Sequence, residues 1–502
     1  MPLPDLIEIV PLDKPVRAEI TVPGSKSITN RALILAALAE GEVTLEGALW
    51  SEDTQIMVEC LQELGFMVDV RLDPNEFSNR TITVYGKAGV VPPGGTEQQP
   101  MELFVGNAGT AARFLTAFVC LGKGVYRIHG VPRMNERPKK ALFEALRQLG
   151  YRVESENKNE KLPVKIWGHE SFSYQKRITE PLSPKYQEML TSEKPASCQV
   201  NIEESSQFAS ALLLCAGVGN WHIEIVGENA EESPYVAMTS KLINVFPHRG
   251  GKFQIEPDAS SGSYFWAASE FAPPSPKFFE YSEHFGIEVE TQLLGKVKVN
   301  HWPKSGWQID EYFPNVIVLG EHARMIREMN QCTDKAKRAD LLKKLTSHNF
   351  RSVTISRASD LGDSIMTAIV LSSEKLLGRS GEFNRFTDLG RLRLQETERV
   401  IALRTELTKC GAKVIEEGDT LTVYPSKLHG AEIETYNDHR MAMCFAILGL
   451  KVPGIKLKNP ACVKKTFPNF FQKLADAPPK GLGATILDAT GRKLTHDELF
   501  AD

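Results

Sequence analysis

Six times along this chain, a few small or polar residues open a helix that is apolar on nearly every side. The clearest copy starts at Gly24: GSKSITNRALILAALAEG, then a β-prone EVTLEGAL, then SEDTQIMVECLQELGFMVDV. In that last stretch Met57, Leu61 and Leu64 share one helical face. The second copy starts at Gly106 (GNAGTAARFLTAFVCLGKG) and the third at Ser205 (SSQFASALLLCAGVGN). Later copies begin near Asp258, Asp363 and Asn437, the one at Asp258 being the weakest. A helix apolar all round must be buried, whereas the second helix of each copy is amphipathic and belongs outside. Six approximate copies of helix–strand–helix–strand predict a repeat-built α/β architecture. Their uneven spacing excludes a solenoid of fixed period.

Composition narrows the partners. Lys plus Arg number 59 against 63 Asp plus Glu, a net charge of -4. Non-specific nucleic-acid binding needs a basic footprint, which this balance lacks. The eight cysteines include no C-x-x-C pair and are too sparse in 502 residues for a disulfide framework. They read as buried, reduced thiols of a cytoplasmic protein. No His/Cys group has zinc spacing, so no metal is expected. The N-terminus lacks a basic region followed by an apolar one, and the longest apolar run, FASALLLCAGVG, is too short to span a bilayer. Three stretches interrupt the repeats: a Pro/Gly-rich loop at 89–100, a polar segment at 173–199, and a segment at 296–350. The last carries HARMIREMNQCTDKAKRADLLKKL, which reads as a solvated surface helix in an insertion. The tail after Pro479 is Gly-rich and then polar, and is expected outside the core.

The helix-opening turns carry the chemistry. In PGSKSITNR (23–31) a Gly/Ser turn leads into a helix with Lys26 and Arg31, a pattern that attracts anions. The same turn would serve equally as a capped helix with surface cations, and the Walker spacing is absent. GNAGTAAR (106–113) places Gly109 where a ligand can approach the backbone. PRMNERP (132–138) sets Arg133 and Arg137 four apart, with forks suited to carboxylate or phosphate. SSQ (205–207), QETER (395–399), YNDHRMAM (436–443) and KKTFP (464–468) complete the series. If the helices pack with parallel N-termini, Lys26, Arg31, Arg137, Arg399, Arg440 and Lys465 meet in one cleft, a receptor for two small polyanions.

Taken together these motifs, in this order over about residues 5–475, resemble the EPSP synthase family of enolpyruvyl transferases; PGSKSITNRA, LFVGNAGTAARF, PRMNERP, SSQF, DASSGSYF, ETYNDHRMAM and KKTFP all match. The resemblance implies an α/β fold of two domains, each of three βαβαββ units around buried parallel helices, an inverted α/β barrel. The chain would cross between domains near residues 24 and 255. Residues 1–24 plus 256–480 would form one discontinuous domain and 25–255 the other, with 296–350 an insertion and 481–502 a tail. The implied reaction transfers the enolpyruvyl group of phosphoenolpyruvate to the 5-hydroxyl of shikimate-3-phosphate. It proceeds through a tetrahedral intermediate, without metal or cofactor, in a monomeric cytoplasmic enzyme. By matching positions, Lys26, Gly109, Arg137, Gln207, Glu396, Arg399, Arg440 and Lys465 would hold phosphoenolpyruvate. Lys26, Ser27, Arg31, Ser205, Ser206, Gln207, Tyr235, Asp363, Arg391 and Gln395 would hold shikimate-3-phosphate. Asp363 is implied as general base on the 5-hydroxyl, and Glu396 with Lys26 as the proton donor and acceptor at the methylene carbon.

Several positions depart from the family pattern. Gln395 stands where Lys usually precedes the glutamate, and Arg391 where Asn is common, two changes that together conserve charge. Glu232 replaces a serine and would repel a phosphate unless Ser233 substitutes. Phe114 stands where Pro usually follows the arginine of the second helix. Glyphosate occupies the phosphoenolpyruvate site in this family, and Phe114 is expected to shift that helix and weaken it. The departures keep two alternatives open, a different phosphorylated acceptor and a non-catalytic relative that binds ligand only. The related UDP-N-acetylglucosamine enolpyruvyl transferase uses a cysteine near the second motif, and residues 122–140 contain none.

Overall fold

The computed structural model describes residues 3–168, 195–227, 233–271, 297–332, 334–347, 352–377 and 381–501. It comprises two compact units, one of Gly24–Glu256 and one of Met1–Pro23 with Pro257–Asp502.

In the Gly24–Glu256 unit the apolar helices are α1 (Lys26–Leu38), α2 (Gly109–Phe118) and α3 (Gln207–Gly219). Every residue of α1 from Ile28 onward and every residue of α2 is buried, and the three helices pack on one another. Their N-terminal ends meet. Arg31 of α1 donates to Ser210 Oγ of α3 at 2.9 Å, and Arg113 of α2 donates to Gln207 Oε1 of α3 at 3.0 Å. Around them, the strands before and after α2 (Met101–Phe104 and Gly124–His129) pair in parallel, as do those flanking α3 (Ala196–Asn201 and Trp221–Val226). Parallel pairing needs such a crossover, and the buried helix supplies it. The amphipathic helix Glu52–Glu63 buries Met57, Val58, Cys60 and Leu61 and leaves Glu52, Glu59 and Gln62 outward.

The other unit repeats the plan with α4 (Ala259–Phe271), α5 (Ile365–Ser372) and α6 (His439–Gly449), again packed on one another. Ser263 of α4 and Thr367 of α5 hydrogen-bond at 2.9 Å, and Thr367 approaches Cys444 of α6 at 3.8 Å. Strands Ser352–Ser356 and Phe383–Thr387 flank α5 in parallel, and Glu432–Ile433 and Ile455–Lys458 flank α6. Near each crossing a strand remote in sequence completes its own unit. Gly251–Gln254 pairs in parallel with Glu42–Leu49 in the first unit, and Ala18–Ile20 with Val297–Val299 in the second.

Two expectations are corrected. The tail after Pro479 is not outside the core. Strand Ile486–Asp488 pairs antiparallel with Leu6–Ile9, and Leu482, Ala484, Leu494, Leu499 and Ala501 are buried in the same cluster. Its apolar residues are scattered among Gly, Thr and Asp, so no periodic signal marks them. The 296–350 segment is not a simple excursion. Val297–Val299 is a sheet strand, and Asp310, Phe313, Val316 and Ile317 are buried. Only its later part, helices Glu321–Gln331 and Lys335–Ser347, lies further out, with 336–340 exposed. These are two helices where the sequence suggests one. Of the polar segment 173–199, residues 173–194 lie outside the described residues, and Ala196–Asn201 is a strand. Glu232 also lies outside them.

Candidate active site

In the Gly24–Glu256 unit, Lys26 is the first residue of α1, and its Nζ lies 3.0 Å from Asp53 Oδ2. Asp53 is buried in the first turn of Glu52–Glu63, where a carboxylate suits the helix dipole. Lys26 thus faces a fixed counter-charge that the sequence does not announce. Five positions on, Arg31 is wholly buried. Its Nε donates to Thr239 Oγ1 at 2.8 Å, one terminal nitrogen to the Ser27 carbonyl at 2.9 Å, and the other to Ser210. Its guanidinium lies over the Phe114 and Tyr235 rings, 5.2 and 5.9 Å from their centroids. Burial lowers its pKa to about 10, with Tyr235 opposing the shift. Arg31 therefore braces Ser27 and Tyr235 rather than presenting its fork outward. Phe114 is buried as its stacking partner, which gives the aromatic at this position a packing role.

Around Gly109 the geometry is tight. A Cβ there would lie 2.7 Å from a terminal nitrogen of Arg137 and 2.9 Å from one of Arg113. Two guanidinium tips thus converge on bare backbone. Arg113 also donates to the Gly109 carbonyl at 2.9 Å, and Gln207 Nε2 reaches Thr110 Oγ1 at 3.4 Å. Ser205 Oγ accepts from the Gln207 backbone, and Ser206 precedes α3 as its N-cap residue. Beside this pair sits Lys139, wholly buried, with Met134 Sδ 3.8 Å from its Nζ. Burial, and then the charges of Arg113 and Arg137, hold its pKa well below the ordinary lysine value. Sequence reading passes over Lys139 because it directly follows a recognised motif and opens an unremarkable amphipathic helix, Lys140–Gln148.

In the other unit, Asp363 precedes α5. Its Oδ1 accepts from Arg357 at 2.9 Å, and its Oδ2 lies 3.0 Å from an Arg440 nitrogen. Burial raises its pKa, but Arg440, Arg357 and Arg399 outweigh that and hold the carboxyl well below the usual range. Glu396 lies 2.9 Å from Arg399 and 3.3 Å from Lys465 Nζ. Arg399 is buried and forms a bidentate pair with Asp438, at 2.7 and 3.1 Å. It also donates to Gln395 Oε1. Gln395 can accept there, as a lysine could not. Arg391 is half-buried in the preceding turn Gly390–Leu394. The YNDHR motif forms a strained bend, with Tyr436 and Asn437 both in left-handed backbone at φ 56° and 53°. Such conformations cost about 1–3 kcal/mol each where a side chain is present. The Tyr436 hydroxyl holds the bend by donating to buried Glu406 at 2.7 Å. The bend delivers Asp438 to the N-cap of α6, where it accepts from the Arg440 N–H at 2.9 Å.

The structure thus gathers Lys26, Ser27, Gly109, Arg137, Ser205, Ser206, Gln207 and Tyr235 at the helix N-termini of one unit. In the other it places Asp363, Gln395, Glu396, Arg399 and Arg440 at helix N-termini, Lys465 beside Glu396, and Arg391 in the turn before Gln395. Asp53, Arg113, Lys139, Arg357 and Asp438 join them unannounced, because each is defined by a partner remote in sequence or by burial. The first cluster sets cations beside the carboxylate of Asp53, and the second holds two carboxylates, Asp363 and Glu396, each between cations. Among the described residues no group of His, Cys, Asp and Glu is arranged to hold a metal ion, and no helix is long and apolar enough to cross a membrane.

Two predictions follow from the Gly109 cradle. Gly109→Ala drives a methyl into the Arg137 and Arg113 tips and should weaken the binding of an anionic substrate there. Losing charge-assisted hydrogen bonds costs about 1.5–3 kcal/mol, or about 10- to 100-fold in KM; an unchanged KM would remove both arginines from the anion site. The second concerns Lys139, whose folded pKa lies below its unfolded one. Below both values the buried charge is a full penalty. The penalty shrinks as pH rises from the folded pKa toward the unfolded one, because the unfolded chain then holds the extra proton. Lys139→Met should therefore raise the ligand-free Tm at pH 7, with a gain that fades toward pH 10. A Tm difference independent of pH contradicts this.

Comparison with known proteins gives the family. The sequence profile described as EPSP synthase (3-phosphoshikimate 1-carboxyvinyltransferase) matches residues 12–274 and 304–474. A 3-phosphoshikimate 1-carboxyvinyltransferase of Trichormus variabilis is 34% identical over 489 residues, spanning 93% of this chain and 98% of the relative. One from Opitutus terrae is 34% identical over 96% of this chain and 100% of its own. Among solved structures, EPSP synthase from Acinetobacter baumannii aligns over 96% of this chain and 100% of its own with a TM-score of 0.60 at 17% identity. The enolpyruvyl transferase NikO from Streptomyces tendae aligns over 99% of this chain and 100% of its own, with a TM-score of 0.56 at 15% identity. These last two likenesses establish the two-domain enolpyruvyl transferase fold. The family profile and the relatives go further: the chain belongs to the EPSP synthase family.

Proposed function

We propose that Asp363, Glu396 and Lys26 move the protons of the family's reaction, and that the cations beside them hold its two substrates. The reaction itself comes with membership: the chain transfers the enolpyruvyl group of phosphoenolpyruvate to shikimate-3-phosphate, a step of aromatic biosynthesis. The observation that carries the assignment is Asp363, a carboxylate with 14% of its side chain exposed, held between Arg357 and Arg440. Held ionised, it accepts the proton of the acceptor's 5-hydroxyl as that oxygen bonds to C2 of the enolpyruvyl group. Its guanidinium partners make it a weak base in the ground state, so transfer proceeds once bond formation has made the hydroxyl acidic.

Protonation of the methylene carbon builds positive charge at C2 and prepares it for attack. Glu396 and Lys26 are assigned this proton and its later removal from the methyl group, when phosphate departs. Lys465, 3.3 Å from Glu396, is a proton source within reach of that carboxylate. Arg137, Gly109, Arg440, Lys465 and Arg399 are assigned to phosphoenolpyruvate. Fixed cations of this kind stabilise charge on the departing phosphate without reorganising. Arg399, with its fork engaged by Asp438, Glu396 and Gln395, serves by holding Glu396. Ser27, Ser205, Ser206, Gln207, Tyr235, Arg391 and Gln395 are assigned to shikimate-3-phosphate, with Arg31 behind them.

The reading includes a monomeric enzyme. The net charge of -4 speaks against a nucleic-acid partner. Eight free thiols, seven of them buried, fit a reducing cytoplasm. The test is phosphate release from phosphoenolpyruvate with shikimate-3-phosphate as acceptor, in buffer with chelator. Steady turnover is expected, falling at least about 100-fold in Asp363→Ala and in Lys26→Ala, the scale of general acid–base catalysis. No turnover with phosphoenolpyruvate still bound would mean an acceptor site rebuilt around Arg391 and Gln395.

A further inference from the structure

We propose that Asp310 is a positioning residue for Asp363, fixing the 362–364 turn from which the Asp363 carboxylate meets Arg357 and Arg440. The proposal rests on the reading of Asp363 as general base. Asp310 lies in the 3-10 turn Ile309–Tyr312, within the segment that the sequence presents as an insertion. Its carboxylate is buried and accepts from both sides of Asp363. Oδ1 takes the Gly362 N–H at 2.7 Å, the Ser364 N–H at 3.2 Å and the Ser364 hydroxyl at 2.5 Å. Oδ2 takes the Ser260 hydroxyl at 2.5 Å, tying the same turn to the first residues of α4.

The arrangement is rigid for identifiable reasons. Ser364 is the N-cap residue of α5, so Asp310 satisfies backbone donors that the helix cannot. Gly362 gives the carboxylate room, since a Cβ there would lie 3.0 Å from Ile309 Cγ2 and 3.1 Å from Asp310 Oδ2. The neighbouring Gln308 anchors the turn from behind. Its Oε1 accepts from the Ala259 N–H at 3.0 Å, and its Nε2 donates to the Pro257 carbonyl at 2.9 Å. A carboxylate suits this place because it accepts about four hydrogen bonds and donates none. Burial raises the Asp310 pKa, the Ser260 and Ser364 hydrogen bonds oppose the rise, Asp363 adds to it, and Arg440 opposes it. The two carboxylates therefore share one electrostatic neighbourhood while dividing the labour. Asp310 faces backbone and hydroxyl donors, and Asp363 faces the cations.

Asp310→Ala leaves the 362 and 364 amides without their acceptor and frees the turn. Asp310→Asn keeps it, because the amide oxygen can take the three Oδ1 bonds while the amide nitrogen donates to Ser260. The experiment is steady-state phosphate release with phosphoenolpyruvate and shikimate-3-phosphate, with a Tm for every variant. Asp310→Ala is expected to lower kcat about 10- to 100-fold, the scale of a misplaced catalytic group. Asp310→Asn is expected to remain within about fivefold of wild type. Repeated in an Asp363→Ala background, neither change should alter the residual rate by more than about twofold, since nothing is left to position. Wild-type kcat in Asp310→Ala, or the same fold-loss in both backgrounds, overturns the proposal. Should Asp310→Ala not fold, Gly362→Ala displaces the same turn and must show the same dependence on background. Undiminished turnover in Asp363→Ala alone overturns the general-base reading instead, and the two failures are thereby distinguished.

Discussion

The buried pair of Arg399 and Asp438 organises the larger unit's chemistry. Two charges taken from water are stable together only with good geometry and further hydrogen bonds, and removing one partner of such a pair costs about 3–5 kcal/mol. Here the geometry is bidentate, and the remaining valences are used. Asp438 caps α6, which starts Arg440 in register to meet Asp363. Arg399 holds Glu396 and Gln395. One ion pair thus fixes the direction of two carboxylates and two cations, and the strained bend at Tyr436 and Asn437 is tolerated because it delivers Asp438.

The Gly24–Glu256 unit solves the opposite problem. It concentrates positive charge with few internal anions. Lys26 has Asp53, but Arg31 is held by hydroxyls, a carbonyl and two aromatic rings, and Lys139 by a thioether sulfur. Burying charged groups with so few counter-charges is costly. The contrast is between a unit whose carboxylates are braced by cations and a unit whose buried cations are held largely by neutral groups.

Much of the fold is legible in the chain. α1, α2 and α3 are apolar on nearly every side beyond their first turns, and a helix of that kind has nowhere to go but a core. The tail is not legible, because Ile486, Leu494 and Leu499 are separated by residues of no consistent period and are buried only because Leu6–Ile9 offers a sheet edge. Asp310 is hidden for the same reason, lying in an unpatterned stretch between a strand and charged helices.

The sequence alone determined which residues open the buried helices, hence which cations, carboxylates and glycines stand at helix N-termini, and through its motifs the family. Those features are local, set by helix periodicity and by the side chains adjoining each helix start. Tertiary structure alone decided who faces whom: that Lys26 meets Asp53, that Arg31 stacks on Phe114, that Lys139 is enclosed beside two arginines, that Arg357 and Arg440 close on Asp363, and that Asp310 grips the turn beneath it. Charge and burial act through space, and distance in space is fixed only once the helices have packed.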